Sequence, residues 1–238
     1  MSDTRLGAPE KRTGDNLYPA RLQQTFGPHE LDLDVPAGVW NPTPHGLFLG
    51  EVLLEQDFSG EHVLELGSGC GVHTILLARR NASALTVTEI DRPILDNTKH
   101  NLEKHGVDIP VDYLEADWTH VEAGPFDALV TNPPFAKSGK RYRRHFIDTL
   151  ILDAHKLVKP GGRLVFIQSS MANVPKTLGL LADCGMSVRI LGERDHPFRD
   201  YYFEDDRYLV EMASIPGAYA VRDRVHYERL VVFEAKLP

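Results

Sequence analysis

Residues 62–72, HVLELGSGCGV, join a short apolar run to a glycine-rich turn and the start of a helix. A buried strand followed by such a turn and a helix is the first half of a βαβ unit. The alternation continues, since ALTVTEI (84–90) and FDALVTN (126–132) predict further buried strands with helical patterns between them. Strands that alternate with helices in this way form a parallel sheet covered on both faces. The predicted fold is an α/β, Rossmann-like, doubly wound and mostly parallel sheet.

A late strand and a long connection complete the predicted domain at 41–238. YERLVVFEAKL (227–237) is a further strand that follows an unusually long stretch. Most connections run about 4–6 residues, so we interpret residues 193–226, which interleave aromatic and acidic side chains, as an insertion that covers part of a site or mediates dimerisation. Residues 1–40 are predicted to form an arm that can act as a lid. The aromatic lid candidates are Tyr18, Tyr201, Tyr202 and Phe203.

Composition and charge exclude several classes of protein. The 238 residues carry 26 Lys and Arg against 34 Asp and Glu, a formal net charge of −8. Nucleic-acid binding rests on many cations that neutralise phosphates, so nucleic acid is not an expected partner. No apolar run approaches the roughly 20 residues that span a bilayer, and Cys70 and Cys184 form neither a disulfide framework nor a Cys/His metal cluster. We expect a cytoplasmic protein, monomeric or homodimeric, with no metal and no membrane partner.

The turn after the first strand predicts a nucleotide site. Glycines within residues 67–71 let the backbone turn tightly and let a ligand approach closely. Glu89 ends the next strand, where an acid can accept from ribose hydroxyls, and Asp117 with Trp118 follows a third strand, where a carboxylate can accept from an adenine amine. A dinucleotide dehydrogenase is a competitor, but its fingerprint has glycine where Val72 stands, and a P-loop needs a GKS or GKT that is absent. The pattern favours an adenosine-containing ligand without a diphosphate.

The segment NPPF, residues 132–135, is the most specific motif of the chain. The two prolines fix φ and remove two N–H donors, so they form a rigid turn that presents acceptors. The Asn132 side-chain oxygen and the Pro133 carbonyl can together accept both hydrogens of one NH2 group, while Phe135 offers a flat face to the planar group that carries it. Such a turn predicts catalysis by orientation of an amino or amide nitrogen.

With these motifs the chain resembles the class I S-adenosylmethionine (SAM) dependent methyltransferases of the amino-methylating branch, which carry [ND]PP[YFW]. The resemblance implies a seven-stranded sheet with an antiparallel last strand, which fits residues 227–237. The turn at 42–44 is also similar to the PRPET segment of the HemK-type glutamine methyltransferases, although Thr43 stands in place of arginine and His45 in place of glutamate. The residues that the resemblance assigns to SAM are Thr43, Glu65, Gly67, Ser68, Gly69, Gly71, Glu89, Asp117, Trp118 and Asn132. Those that it assigns to the target nitrogen are Asn132, Pro133, Pro134 and Phe135.

The sequence leaves the acceptor open. The charge of −8 favours a small molecule or a protein side chain over RNA, although the basic run KSGKRYRR (137–144) could contact a phosphate or a carboxylate. One alternative is cyclisation, in which SAM's own amino group attacks its side chain, releases methylthioadenosine and forms azetidine-2-carboxylate. Another is methylation of an adenine or guanine amine in RNA. A SAM-binding subunit without catalysis is disfavoured, because a pure binder has no need for the NPPF turn.

Overall fold

The structure, a computed structural model, describes residues 20–39, 41–117, 120–134, 144–204 and 206–238. The first described elements are the strands β1 (Ala20–Phe26) and β2 (His29–Val35), which pair as an antiparallel hairpin. The alternation of ELDLDV predicts β2, whereas β1 was not predicted; both strands lie within the arm expected at 1–40. The hairpin buries Phe26 in one apolar cluster with Leu76 and Leu102, and it alternates exposed with covered residues because one face meets solvent. Tyr18 lies outside the described residues.

The remaining elements alternate as predicted through most of the chain. The helices are α1 (Pro44–Leu54), α2 (Val72–Arg79), α3 (Arg92–Lys104), α4 (His145–Leu157), α5 (Val174–Asp183) and α6 (Asp206–Ala213). The strands are β3 (His62–Leu66), β4 (Ala84–Glu89), β5 (Val111–Glu115), β6 (Phe126–Thr131), β7 (Val158–Ser169), β8 (Ser187–Pro197), β9 (Ala220–Arg222) and β10 (Val225–Lys236). Short 3-10 turns span Ser170–Ala172 and Asp200–Phe203.

The main sheet has the order β5-β4-β3-β6-β7-β10-β8, and β9 adds to one end of β10. The pairs from β5 to β7 are parallel, whereas β10 runs antiparallel to both β7 and β8. This confirms the Rossmann-like fold with an antiparallel last strand. The order reverses between β3 and β6, because the chain first builds outward through β4 and β5 and then returns on the other side. Ligands of open α/β sheets bind beyond the carboxyl ends of the strands at such a reversal.

Part of the insertion predicted at 193–226 lies in the sheet. The structure extends β8 to Pro197, since Tyr227 on β10 pairs with Pro197, so residues 193–197 are paired with the last strand. The insertion is also part of the core, because Tyr202 is buried in the same apolar cluster as Phe166 and Phe233 of the sheet. A long connection that buries aromatic side chains in this way is held by packing, in contrast to a solvated linker.

Gly50 on α1 keeps the hairpin close to the sheet domain. A Cβ at this position would lie 2.6 Å from Phe26 Cε1 and 2.9 Å from Leu76 Cδ1. We therefore expect Gly50→Ala to lower the free energy of unfolding by about 1–3 kcal/mol, the range for overpacked cores. Chemical denaturation measures it. Gly179→Ala on α5 is the matched control, because a Cβ there meets nothing within 4 Å and alanine favours the helix. Equal stability of the two variants would contradict the prediction.

Candidate active site

The glycine turn after β3 forms an open cradle at the carboxyl edge of the sheet. Gly67, Gly69 and Gly71 have φ values of +74°, +56° and +81°, a region that side chains disfavour. A Cβ on Gly67 or Gly69 would meet nothing within 4 Å, whereas one on Gly71 would lie 3.0 Å from Leu102 Cδ1. The first two glycines therefore leave space above the turn, and the third lets α2 and α3 approach each other.

Glu89 closes one side of this cradle. Its Oε1 accepts from the Gly69 N–H at 2.7 Å, and its Oε2 accepts from the Ile90 N–H at 3.3 Å. Partial burial raises the pKa of Glu89 above its ordinary value, and the two backbone hydrogen bonds offset this only in part. Each carboxylate oxygen keeps further lone pairs, so Glu89 can still accept from the two hydroxyls of a ribose.

The side chains of Ser68 and Thr43, which were both predicted to contact SAM, form hydrogen bonds within the protein. The Ser68 and Thr98 hydroxyls lie 2.9 Å apart and buried, so the Ser68 side chain faces α3. Thr43 caps α1, because its hydroxyl accepts from the Gly46 N–H at 3.3 Å. In this structure both residues set the backbone around the site with their hydroxyls.

Glu65 lies buried beneath the turn, with a partner that the sequence did not suggest. Its Oε2 accepts from the Thr74 hydroxyl, and its Oε1 lies 3.5 Å from His73 Nδ1. His73 Nε2 in turn lies 2.8 Å from the Gly46 carbonyl, which can only accept, so this nitrogen carries the hydrogen. Glu65 Oε1 is buried and has no hydrogen-bond partner within the described part of the chain. The polar pair at 73–74 at the start of the apolar helix α2 is the signal that could have found His73.

The acceptor turn lies beside the cradle. The Thr131 hydroxyl donates to the Leu66 carbonyl at 2.9 Å, which joins the carboxyl ends of β6 and β3. Asn132 follows at once and is half-buried, and the position of a Cβ on Gly46 would lie 3.4 Å from Asn132 Nδ2. Pro133 is buried and Pro134 is exposed. The structure thus brings the Asn132 amide next to both the glycine turn and the first turn of α1.

Asp117 sits at the next strand end along the same edge. The Ala116 N–H donates to the Glu89 carbonyl at 2.9 Å, which places Asp117 near Glu89. Trp118 and Phe135 lie outside the described residues, as does most of the basic run at 137–144.

The lid candidates separate into different environments. Tyr202 is buried, and its hydroxyl donates to Glu228 Oε1 at 3.4 Å. Phe203 is 44% exposed and packs its ring edge-on to His226, with ring centroids 5.4 Å apart. The side chain of Tyr201 is not described. Glu228 was not among the residues predicted for the site; it stands near the start of a mostly apolar strand.

The described residues contain no group of three or more His, Cys, Asp or Glu side chains that could hold a metal ion. Among the same residues, no helix is both long and apolar enough to cross a membrane. The burial of Cys70 raises the pKa of its thiol to about 11, so this cysteine is an unreactive part of the core.

Comparison with known proteins places the chain in a family. The family model described as the methyltransferase small domain matches residues 46–191. A protein named as an N5-glutamine methyltransferase of Methanocaldococcus jannaschii is 26% identical over 185 residues, which are 71% of this chain and 92% of that protein. The ribosomal RNA small subunit methyltransferase C of Hahella chejuensis is 31% identical over 128 residues, 52% of this chain and 36% of that protein.

Solved structures agree on the fold. The 16S rRNA N2 G1207 methyltransferase of T. thermophilus, solved with AdoMet and guanosine, matches with a TM-score of 0.63 at 20% identity. The match covers 93% of this chain and 51% of that one. RNA enzymes among the relatives weaken the expectation, drawn from net charge, that nucleic acid is not a partner. The resemblance and the use of SAM that the motifs predict are confirmed: the chain belongs to the methyltransferase small domain family and is a SAM-dependent methyltransferase.

Proposed function

We propose that this enzyme methylates a planar nitrogen, with the side-chain amide of a glutamine in a protein as the preferred acceptor. The observation that carries the proposal is the position of Asn132 and Pro133 at the carboxyl end of β6, directly beside the glycine turn. The M. jannaschii relative, which is named for glutamine and aligned over 92% of its own length, supports the choice of an amide nitrogen.

The residues around the glycine turn fit SAM. Gly67 and Gly69 provide a cradle with open space where their Cβ atoms would stand. Glu89 holds the ribose hydroxyls, and Asp117 with Trp118 holds the adenine. The orphaned Glu65 Oε1 beneath the turn is left as an acceptor for the ammonium of the methionine part.

Three further residues that were predicted to contact SAM support this cradle from within the protein. Ser68 and Thr43 act through the backbone that they fix, and Gly71 acts by packing α2 onto α3. Bound SAM supplies an electrophilic methyl group on a sulfonium.

Orientation is the main catalytic device that we assign to the chain. The Asn132 Oδ1 and the Pro133 carbonyl accept the two amide hydrogens, Pro134 stiffens the turn, and the motif assigns the face of the planar group to Phe135. Held in this way, the nitrogen would be oriented towards the methyl group of SAM bound at the glycine turn. It would accept that methyl group while the electron pair of the broken C–S bond stays on sulfur, and it would lose its proton to water.

A base amine in RNA is the second candidate. The structural likeness to a guanosine-bound RNA enzyme over 93% of this chain favours it, because an exocyclic amine offers the same two hydrogens. The formal charge of −8 counts against a long phosphate backbone. The comparisons give no support to the alternative of SAM cyclisation, so both candidates are acceptors of a methyl group.

A panel of acceptors tests the choice. The chain is incubated with methyl-labelled SAM and one acceptor at a time, and transfer of the label is counted. The acceptors are a translation release factor, structured RNA and small amines; the release factor is chosen because a further relative, from Gloeobacter violaceus, is named release factor glutamine methyltransferase. We expect label on the protein, on a glutamine side-chain nitrogen by mass spectrometry. Label on RNA alone would overturn the preferred acceptor and favour the second candidate.

A further inference from the structure

A buried polar cluster lies at the carboxyl edge of the sheet and is not used by the mechanism above. Its members are Arg199 of the insertion, His45 of α1, Glu228 of β10 and Tyr202. Because β10 runs antiparallel, with Leu230 opposite the last residue of β7, Glu228 lies just beyond the edge at which the parallel strands end. The cluster therefore belongs to the acceptor side of the site.

Glu228 is an ionised carboxylate within this cluster. Its side chain is 0% exposed, and burial by itself would raise its pKa. The polar contacts of His45 and Ser169 and the charge of the Arg199 guanidinium outweigh that effect and hold the pKa of Glu228 below its usual range. A buried carboxylate in this state has a strong preference for a fixed donor.

The hydrogen-bond directions follow from the chemistry of the partners. Arg199 Nη2 lies 3.3 Å from His45 Nδ1, and a guanidinium can only donate, so Nδ1 accepts. The hydrogen of a neutral imidazole then lies on Nε2, which is 3.4 Å from Glu228 Oε2 but is not aligned for a hydrogen bond. The row of close contacts from Arg199 through His45 to Glu228, the relay, joins the insertion, α1 and the last strand.

The relay ends next to the acceptor turn. Gly46 follows His45 in the chain and its carbonyl accepts from His73, and the ideal position of a Cβ on Gly46 lies 3.4 Å from Asn132 Nδ2. The first turn of α1 is thus fixed from the glycine-turn side by His73 and from the insertion side by His45.

We propose that His45 is a positioning residue for methyl transfer: the Arg199–His45–Glu228 relay holds the first turn of α1 against Asn132 and so orients the acceptor turn. This inference rests on the proposed function, because it requires Asn132 to hold the acceptor. It gives the insertion a part in the reaction that differs from that of a mobile lid.

Variants of His45 test the inference with SAM and the acceptor protein identified by the panel. His45→Gln keeps one donor and one acceptor, whereas His45→Leu keeps neither. We expect His45→Leu to lower kcat roughly 10- to 100-fold, as a misplacement near a reacting centre does. The Kd of SAM should stay within about threefold, since the cradle is untouched, and His45→Gln should recover most of the loss.

Two further variants keep the test decisive. Glu228→Gln has the same volume without the charge and should lower kcat in the same direction as His45→Leu. His100→Gln alters an exposed histidine on α3 paired with Asp34 and should leave kcat unchanged. Wild-type kcat in both His45→Leu and Glu228→Gln, or loss of SAM binding in parallel with kcat, would overturn the inference. These two outcomes would overturn the role of His45 but not the proposed methyl transfer, which the variant Asn132→Ala tests separately.

Discussion

Alanine in place of Asn132 should lower kcat roughly 10²- to 10³-fold, the range found when one preorganised polar group at a reacting centre is removed. The side-chain oxygen that accepts from the target nitrogen is lost, whereas the backbone of the turn is kept by Pro133 and by the Thr131 contact to Leu66. The Kd of SAM should change by less than about tenfold, since the cradle of Gly67 and Glu89 is intact. Steady-state kinetics and calorimetry together measure the two effects.

Asn132→Asp is the matched control. It keeps an oxygen acceptor at the same place and the general shape of the turn, so we expect it to retain more activity than the alanine variant. Wild-type kcat in Asn132→Ala, with SAM still bound, would show that the turn does not hold the acceptor.

Glutamine in place of Glu89 should weaken SAM binding by about 10- to 100-fold, because hydrogen bonds to a charged acceptor contribute about 1.5–3 kcal/mol each. The variant keeps the length of the side chain and one oxygen, which preserves the contact to the Gly69 N–H. The loss is thus assigned to the charge that faces the ribose hydroxyls.

The pH dependence of SAM binding gives the same residue a second test. Burial raises the pKa of Glu89 above its ordinary value of 4.5. The ionised form accepts from the hydroxyls, so affinity should be full above this raised pKa and should fall as pH decreases through it. Calorimetry on the wild type should show the fall, Glu89→Gln should show a flatter profile, and the exposed Asp96→Asn should match the wild type. Identical profiles in all three proteins would contradict the role of Glu89.

Much of the fold follows from local sequence. The run at 62–72 predicts β3, its turn and α2, because an apolar strand, glycines with positive φ and a helix start leave few other structures. The position of Asn132 follows too, since parallel strands end at one edge and β6 is mostly apolar. The first strand of the hairpin was not predicted, because apart from Phe26, which packs against the position of Gly50, its only apolar residues are Ala20 and Leu22.

Contacts between distant parts of the chain are the part of the site that sequence does not show. His45 and Arg199 are 154 positions apart, and no periodicity relates them. Ser68 illustrates a different limit: the motif places it in the turn, but the direction of its hydroxyl depends on Thr98 of the neighbouring helix. Such directions are set by tertiary packing, which the local pattern leaves open.

Identification of the adenosine product by mass spectrometry tests most directly whether the methyl group of SAM passes to a nitrogen held at Asn132. The chain is incubated with SAM alone and with SAM and the acceptor protein. We predict S-adenosylhomocysteine in amounts equal to the N-methyl product when the acceptor is present, and no product above spontaneous decay when SAM is alone. Methylthioadenosine formed rapidly from SAM alone, and abolished by Asn132→Ala, would contradict methyl transfer and show that SAM itself is the substrate.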